Sequence, residues 1–215
     1  MKRLLGLYPR SWRRRYGDEM AQVLDDLEPM RPRQRLRVAW DLVSGAVDAQ
    51  LRSAPGAAVR RALIVGGVVW AALSVEIVLS NVVFPSTEDN DGVSVLIAYL
   101  AVFAACAAVG VLAARLTVDW RVFALAGAVA GVMIGVLTIG TFAVIDNVFL
   151  DTIARQQAKI DGLARSGFTS MRTYINLSLL TGLVTLSTFL GLAGAALAVL
   201  GGHVAGLRRT RNITT

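Results

Sequence analysis

The sequence has little from which a catalytic or metal centre could be built. It contains one cysteine, Cys106, and one histidine, His203, in 215 residues. A disulfide framework or a Cys/His zinc site needs more than single copies of these residues. The P-loop, zinc-protease and nucleophile-elbow motifs are absent from the sequence, as are paired carboxylates at catalytic spacing. We therefore expect no enzymatic activity, no bound metal and no cofactor.

Charged residues are also scarce. They make up only 17% of the chain, against 55% hydrophobic residues and a mean hydropathy of +0.58, whereas about a quarter of a soluble domain is charged. The net charge of +7 would suggest nucleic acid as the partner of a soluble protein. Cytoplasmic flanks of membrane proteins carry the same arginine bias and explain the charge better. We expect the lipid bilayer, and no direct contact with nucleic acid.

Four long apolar runs account for the hydropathy. They cover residues 62–84, 93–114, 122–145 and 174–200. A helix rises about 1.5 Å per residue, so each run is long enough to cross about 30 Å of hydrocarbon. The runs lack the strict alternation of membrane strands. The sequence therefore predicts an all-α polytopic membrane protein, with a four-helix transmembrane domain over residues 62–206.

The basic residues indicate an orientation. Residues 1–61 carry 13 of them, the 115–121 loop two, and the chain after His203 three, against none in 85–92 and four in 146–173. Arginine and lysine concentrate on the cytoplasmic side of membrane proteins. We expect both termini, including a basic tail over 207–215, to be cytoplasmic. Because 20 of the 22 basic residues are arginine, as codons of a GC-rich genome favour, we expect a bacterial inner membrane.

The first 52 residues differ from the rest and predict a helical hairpin. Pro9 suits the first turn of one helix, and Pro29 and Pro32 interrupt the chain before a second. Each half has apolar residues at steps of three and four, which are typical of one helix face. These stripes are Trp12, Tyr16, Met20, Val23, Leu24 and Leu27 in the first helix, and Leu36, Ala39, Trp40, Val43, Val47 and Leu51 in the second. Since so small a pair cannot bury a full core, the stripes should meet each other and a further surface: the membrane, the bundle or another protein. Residues 53–61 are interpreted as a linker.

The segment 146–173 is too long for a minimal turn. Its apolar spacing predicts either an extension of the third membrane helix or a helix lying on the surface. Asp146, Asp151 and Asp161 lack the spacing of oxygen ligands for a cation, so they are expected to be solvated.

Glu76 is the one ionisable residue deep within an apolar run, and intramembrane carboxylates are functional candidates. By position along their helices, Thr138, Thr141, Ser178 and Thr181 lie at a similar depth and could form a polar patch with it. The carboxyl would be protonated, bonded to hydroxyls or open to a water-filled cleft. Two hypotheses remain: a polar contact that holds helices together, or a proton or ligand site.

Glycines recur every fourth residue in the third run, at Gly127, Gly131 and Gly135. Small residues at this spacing let helix backbones approach closely in lipid. The partner helix could belong to the same chain, which we favour, or to a second copy in a homo-oligomer.

The opening stretch, "LYPRSWRRRYGDEM", followed by an Asp-Leu step after the proline break, resembles the cytoplasmic HAAS signalling domain and the related permease prefix domain of bacterial membrane proteins. The residues that carry the resemblance are Tyr8, Pro9, Trp12, Arg13, Arg15, Tyr16, Gly17, Glu19, Met20, Asp41 and Leu42. It covers about a quarter of the chain. The resemblance implies a module that docks a cytoplasmic protein, such as a PadR-like regulator or a component of an ABC transporter.

These observations lead to one main functional hypothesis and one alternative. The main one is a signalling or regulatory unit whose hairpin docks a cytoplasmic partner through Tyr8, Trp12, Arg13, Arg15, Tyr16, Glu19 and Trp40. For the aromatic residues among these, packing inside the hairpin is an equally good explanation. The alternative is a small transporter, or an accessory subunit of an ABC-type export system, that uses Glu76 and the hydroxyls near it.

Overall fold

The structure is a computed structural model that describes residues 1–84 and 92–211, with the side chains of residues 51 and 208–211 excepted. Residues 85–91 of the predicted loop and residues 212–215 of the predicted basic tail therefore lie outside the described residues, whereas the backbone of 207–211 continues the last helix. Every regular element in the described ranges is helical, and four of the helices are long and apolar enough to span a membrane. The predicted all-α polytopic membrane fold is confirmed.

The chain forms two compact units, Met1–Arg60 and Arg61–Thr215. The elements in order are a 3₁₀ helix Lys2–Leu7, α1 Arg10–Asp26, α2 Pro32–Arg52, α3 Ala54–Val78 with a π-helical turn Leu79–Val83, α4 Gly92–Ala114, α5 Trp120–Val148, α6 Leu150–Ile153, α7 Gln157–Ser166 and α8 Met171–Arg211.

In the first unit, prolines set the starts of both helices. Pro9 is the residue before α1, and Pro32 is the first residue of α2, where a missing N–H costs no hydrogen bond. The backbone N–H of Arg31 donates to Gln34 Oε1 at 3.2 Å, which satisfies one group at the start of α2.

The 3₁₀ helix, which the sequence pattern did not predict, packs against both α1 and α2. Lys2 forms an ion pair with Asp25 near the end of α1, at 2.6 Å. Gln50 near the end of α2 donates to the carbonyl of Leu7, at 2.9 Å. The first unit is therefore a hairpin with its N-terminal segment as a third packing element.

Two predicted boundaries differ from the structure. The segment predicted as a linker begins α3, since Ser53 Oγ accepts from the N–H of Gly56 and Pro55 occupies the first turn. The fourth apolar run was predicted to end at residue 200, but α8 continues to Arg211, so His203 lies within the helix, with its Nδ1 2.8 Å from the carbonyl oxygen of Val199.

In the second unit, α8 packs closely against α5 and α4. A β-carbon added at Gly127 or Gly131 would overlap the carbonyl oxygen of Gly194 or Leu190, respectively, and one added at Gly135 would lie 2.8 Å from the α-carbon of Ser187. The three glycines thus face α8 of the same chain. Gly110 of α4 likewise faces the backbone of Ala198, an approach that the sequence analysis missed despite the glycine- and alanine-rich composition of α8.

α3 approaches the bundle differently. Its contacts use larger side chains, since Val69 and Leu73 pack against the core of Val102, Cys106, Ile134 and Leu190. The guanidinium of Arg61 in α3 donates to the carbonyl of Leu112 in α4 at 3.0 Å, and this hydrogen bond joins the two helices. Bulky side chains hold α3 away from the neighbouring helices and leave space between them. Small residues at the same contacts would let the backbones approach and would close that space.

Candidate functional site

A cleft lies between α3 and the three closely packed helices. Its volume is about 250 Å³. Its apolar wall includes Leu73, Ile77, Val95, Val102, Ile134 and Leu190, and its polar or aromatic lining residues are Glu76, Ser94, Tyr99, Thr138 and Phe142. Ligand sites generally combine an apolar wall with a few convergent polar groups. The cleft is the candidate small-molecule site of the second unit.

Glu76 lies on the exposed side of this cleft. It also borders a shallow depression on the outer face of α3, with Val75 and Phe84. One turn further along, α3 changes to π-helical hydrogen bonding over Leu79–Val83, and such turns are frequent at functional sites. The carboxylate makes no hydrogen bond or ion pair within residues 1–84 and 92–211, and neither lysine nor arginine lines the cleft.

Thr138 is the one predicted hydroxyl that shares the cleft with Glu76. Its Oγ1 is buried and has no hydrogen-bond partner within the described part of the chain. Burying a hydroxyl without a hydrogen bond is costly. An unpaired oxygen in the wall is therefore an unused acceptor or donor for a bound molecule.

Thr141 serves a different purpose. Its Oγ1 donates to the carbonyl of Leu137 at 2.9 Å, and the indole N–H of Trp70 donates to it at 3.0 Å. Ser74 Oγ lies 3.1 Å away, and because the single hydroxyl hydrogen of Thr141 is already used, Ser74 must donate. Thr141 thus anchors α3 to α5 instead of lining the cleft.

Ser178 and Thr181 do not join Glu76. Both are exposed and neither lines the cleft, and Thr181 Oγ1 donates to the carbonyl of Leu177 in its own helix, at 3.1 Å. The predicted patch therefore divides: Glu76 and Thr138 share the cleft, Thr141 lies beside it, and the two hydroxyls of α8 face elsewhere. Depth along a helix could be estimated from the sequence, but the helix face could not.

The first unit buries the aromatic start of its motif. Tyr8 is 6% exposed and stacks on Trp12, with ring centroids 3.9 Å apart. A β-carbon placed on Gly45 would lie only 2.6 Å from the Tyr8 hydroxyl oxygen. The lack of a side chain at Gly45 therefore makes room for the ring. Burial raises the pKa of the Tyr8 phenol. Tyr8 and half-buried Trp12 belong to the core of the unit, which also contains Leu5, Leu24, Leu42 and Ala46.

The other predicted docking residues lie at the surface. Arg13, Arg15, Tyr16, Glu19 and Trp40 are exposed. The guanidinium of Arg15 is 5.4 Å from the ring centroid of Tyr16, a distance that permits a cation–π contact.

The apolar stripe predicted for α2 is not the face that packs in the core. The core residues of this helix are Val38, Leu42, Ala46 and Ala49. Leu36, Trp40 and Val47 lie on another face and are 75%, 72% and 53% exposed. α2 therefore has two apolar faces, and the one containing the large residues is uncovered within the described chain. In α1, Trp12, Met20 and Leu24 contribute to the core, whereas Tyr16, Val23 and Leu27 are exposed.

The expectation that Asp146 is solvated was wrong. This residue, near the end of α5, is 2% exposed, and its Oδ2 lies 3.1 Å from Nζ of Lys159 in α7. Asp151 and Asp161 are exposed as predicted. The segment 146–173 begins as an extension of α5, which ends at Val148, and continues as the two short helices α6 and α7. The ion pair fastens α7 to the end of α5.

Within the described residues, no group of three or more His, Cys, Asp or Glu side chains is placed to hold a metal ion. Comparison of the chain with protein-family models, curated proteins and solved structures gives no significant match. The features of this chain that bear on its function are the exposed face of α2, the cleft beside Glu76 and the resemblance of the opening motif.

Proposed function

We propose that this protein is a non-enzymatic signalling or regulatory unit of a bacterial inner membrane, which docks a cytoplasmic protein through the exposed face of α2. We define the docking face as Leu36, Trp40, Val43 and Val47. The observation that carries the proposal is the exposure of Leu36 and Trp40 on a helix whose other face already forms the core of its unit.

The chemistry of this face suits a protein partner. Tryptophan is among the residues that contribute most to binding when buried at an interface. Covering Trp40 and Leu36 would contribute on the order of 2–3 kcal/mol each from apolar burial. Large exposed residues arranged along one helix form a continuous apolar strip, which is typical of helix-in-groove recognition.

A membrane surface is a weaker candidate for the occupant of this face. Helices that lie on anionic lipid carry lysine and arginine on their polar face. α2 carries Arg33, Arg35, Arg37 and Arg52, but the charged residues that follow Trp40 and Val47 are the exposed acids Asp41 and Asp48, of which Asp48 pairs with Arg52. Acids next to the apolar strip oppose anionic headgroups and can pair with basic groups on a protein.

The opening motif supports the same class of partner. Its resemblance to the HAAS and permease prefix domains implies a PadR-like regulator or an ABC transporter component. The concentration of arginine in residues 1–61 supports a cytoplasmic position for the docking face.

The test is quantitative co-purification of a PadR-like regulator or ABC component, identified by mass spectrometry, from native membranes in mild detergent. Trp40→Ala should reduce recovery of the partner at least about tenfold, as expected for loss of an interface anchor. Trp120→Ala is the matched control, since Trp120 of α5 is also exposed. Equal recovery with both variants would contradict the proposal.

A second measurement tests whether the docking face is covered by a protein or by lipid. In bilayers containing brominated lipids, wild-type protein and Trp40→Phe should lose the same amount of fluorescence to quenching. If the fluorescence of Trp40 is strongly quenched, the docking face lies in the membrane interface and the proposed protein contact is wrong.

A further inference from the structure

The cleft beside Glu76 presents an uncompensated carboxylate within a membrane-spanning segment. Glu76 makes no hydrogen bond or ion pair in the described ranges, and the residues that line the cleft contribute no basic group. A charge in a low-dielectric environment requires a partner of opposite sign or water. The composition of the cleft therefore favours a cation as its occupant.

The walls restrict which cation fits. Leu73, Val95 and Val102 give the cleft an apolar surface, which a hydrated metal ion would not match. Tyr99 also lines it, and the rings of Phe103 and Phe189 lie around Tyr99 with centroids 6.0 and 6.3 Å away. Aromatic rings attract organic cations through their negatively charged faces. A hydrophobic ammonium ion satisfies both the apolar and the aromatic parts of the wall.

The volume and the unpaired hydroxyl define the ligand further. At about 250 Å³, the cleft is smaller than the 300–1,000 Å³ usual for sites of drug-sized molecules. Thr138 Oγ1 has no partner in the described chain and could accept a hydrogen bond from an N–H group. These features indicate a small ammonium ion that retains at least one N–H.

We propose that the cleft lined by Glu76, Tyr99 and Thr138 binds a small hydrophobic ammonium ion, with the Glu76 carboxylate as its counter-charge. The apolar part of the ligand packs against Leu73, Val95 and Val102, and the ammonium group lies at the Glu76 side of the cleft. This function is independent of the docking face of α2, because the cleft is formed wholly by residues of the second unit.

The experiment uses full-length protein in lipid nanodiscs and isothermal titration calorimetry at pH 7. The probe is phenethylammonium, which is charged at this pH because alkyl ammonium groups lose their proton near pH 10. The neutral comparison ligand is 2-phenylethanol, which has a similar apolar part. The ammonium ion should bind and the alcohol should bind at least about tenfold more weakly, since only the first can pair with the carboxylate.

Two substitutions locate the site. Glu76→Gln removes the negative charge and should weaken binding of the ammonium ion at least about tenfold, whereas Asp151→Asn, a change of an exposed acid in α6, should have no effect. Ala98→Leu fills the cleft without altering charge and should also weaken binding. Its matched control is Ala101→Leu, because Ala101 is on the same helix, exposed and outside the cleft.

The proposal is overturned if neither ligand binds, if the alcohol binds as well as the ammonium ion, or if Glu76→Gln retains wild-type affinity. Equal binding by Ala98→Leu and Ala101→Leu would also overturn it, because the bound ligand would then lie outside the cleft. Since the Ala98 pair leaves Glu76 unchanged, the test remains valid if Glu76→Gln is poorly folded.

Discussion

Among single residues, Asp146 is the most deeply buried charge in the described chain. Its contact with Lys159 joins the end of α5 to α7. A buried ion pair is weak evidence for net stability, but removing one member leaves the other uncompensated. The pair therefore fixes the position of α7 more than it strengthens the bundle.

Lys159→Met should destabilise the protein by about 1–3 kcal/mol, because it leaves the buried Asp146 carboxylate without its partly exposed cation. Lys159→Arg keeps the positive charge and should lose much less stability. Thermal unfolding in detergent measures both. Adding Asp146→Asn to Lys159→Met should recover part of the loss, and no difference between the Met and Arg variants would show that the pair is unimportant.

Tyr8 is buried as a neutral phenol, and burial raises its pKa. As pH rises, the unfolded chain therefore loses the phenolic proton of Tyr8 before the folded chain does. The stability that the neutral, buried phenol contributes is fully present below about pH 10 and is lost as pH rises through the pKa of the folded state. Subtracting the titration of Tyr8→Phe from that of wild type, by absorbance at 295 nm, should give a midpoint above that of free tyrosine. A midpoint at or below it would contradict burial of the ring.

Gly45 determines whether Tyr8 can occupy its position. Gly45→Ala places a methyl group against the Tyr8 hydroxyl and should destabilise the first unit by about 1–3 kcal/mol, as overpacking does. Gly17→Ala is the control, since its β-carbon would make only an ordinary contact with Arg13, at 3.8 Å. Near-ultraviolet circular dichroism of the stacked Tyr8 and Trp12 rings measures the effect. The same signal in both variants would mean that the ring adjusts freely.

At the scale of elements, contact between α5 and α8 depends on the glycines that face the opposite backbone. Gly131→Ala should destabilise the bundle by about 1–3 kcal/mol, because the new methyl group overlaps the carbonyl oxygen of Leu190. Gly140→Ala in the same helix meets no atom within 4 Å and should be neutral or slightly stabilising. Thermal unfolding of the two variants provides the comparison, and equal stability would rule out a rigid seam.

The two apolar faces of α2 show where a sequence pattern misleads. In α2, the larger residues Leu36, Trp40 and Val47 formed the more conspicuous stripe, yet Val38, Leu42, Ala46 and Ala49 pack in the core. Gly45, Ala46 and Ala49 on the core side of α2 are small, and the Tyr8 ring approaches the helix closely at Gly45. Periodicity identifies an apolar face, but it cannot tell which of two such faces is covered.

For the whole molecule, the distribution of arginine and lysine leads us to expect residues 1–61 on the cytoplasmic side of the membrane and residues 146–173 on the other side. Cysteine labelling can test it, because the one native cysteine, Cys106, is buried. Gly6→Cys should react with a membrane-impermeant maleimide only after cells are permeabilised, whereas Phe168→Cys should react in intact cells. Labelling of Gly6→Cys in intact cells would remove the basis for a cytoplasmic partner.

The sequence by itself determined that this is an all-helical membrane protein with four spans, because hydrocarbon thickness and unsatisfied backbone groups admit few other solutions for runs of this length. It also identified Glu76 and the glycines of α5 as exceptional, since their residue types are unusual or regularly spaced in such runs. Only the tertiary structure decided that Thr138 shares a cleft with Glu76 while Ser178 and Thr181 do not, and that Asp146 is buried against Lys159. Those outcomes depend on how each helix is rotated about its axis and on contacts between distant segments, which local composition and spacing do not specify.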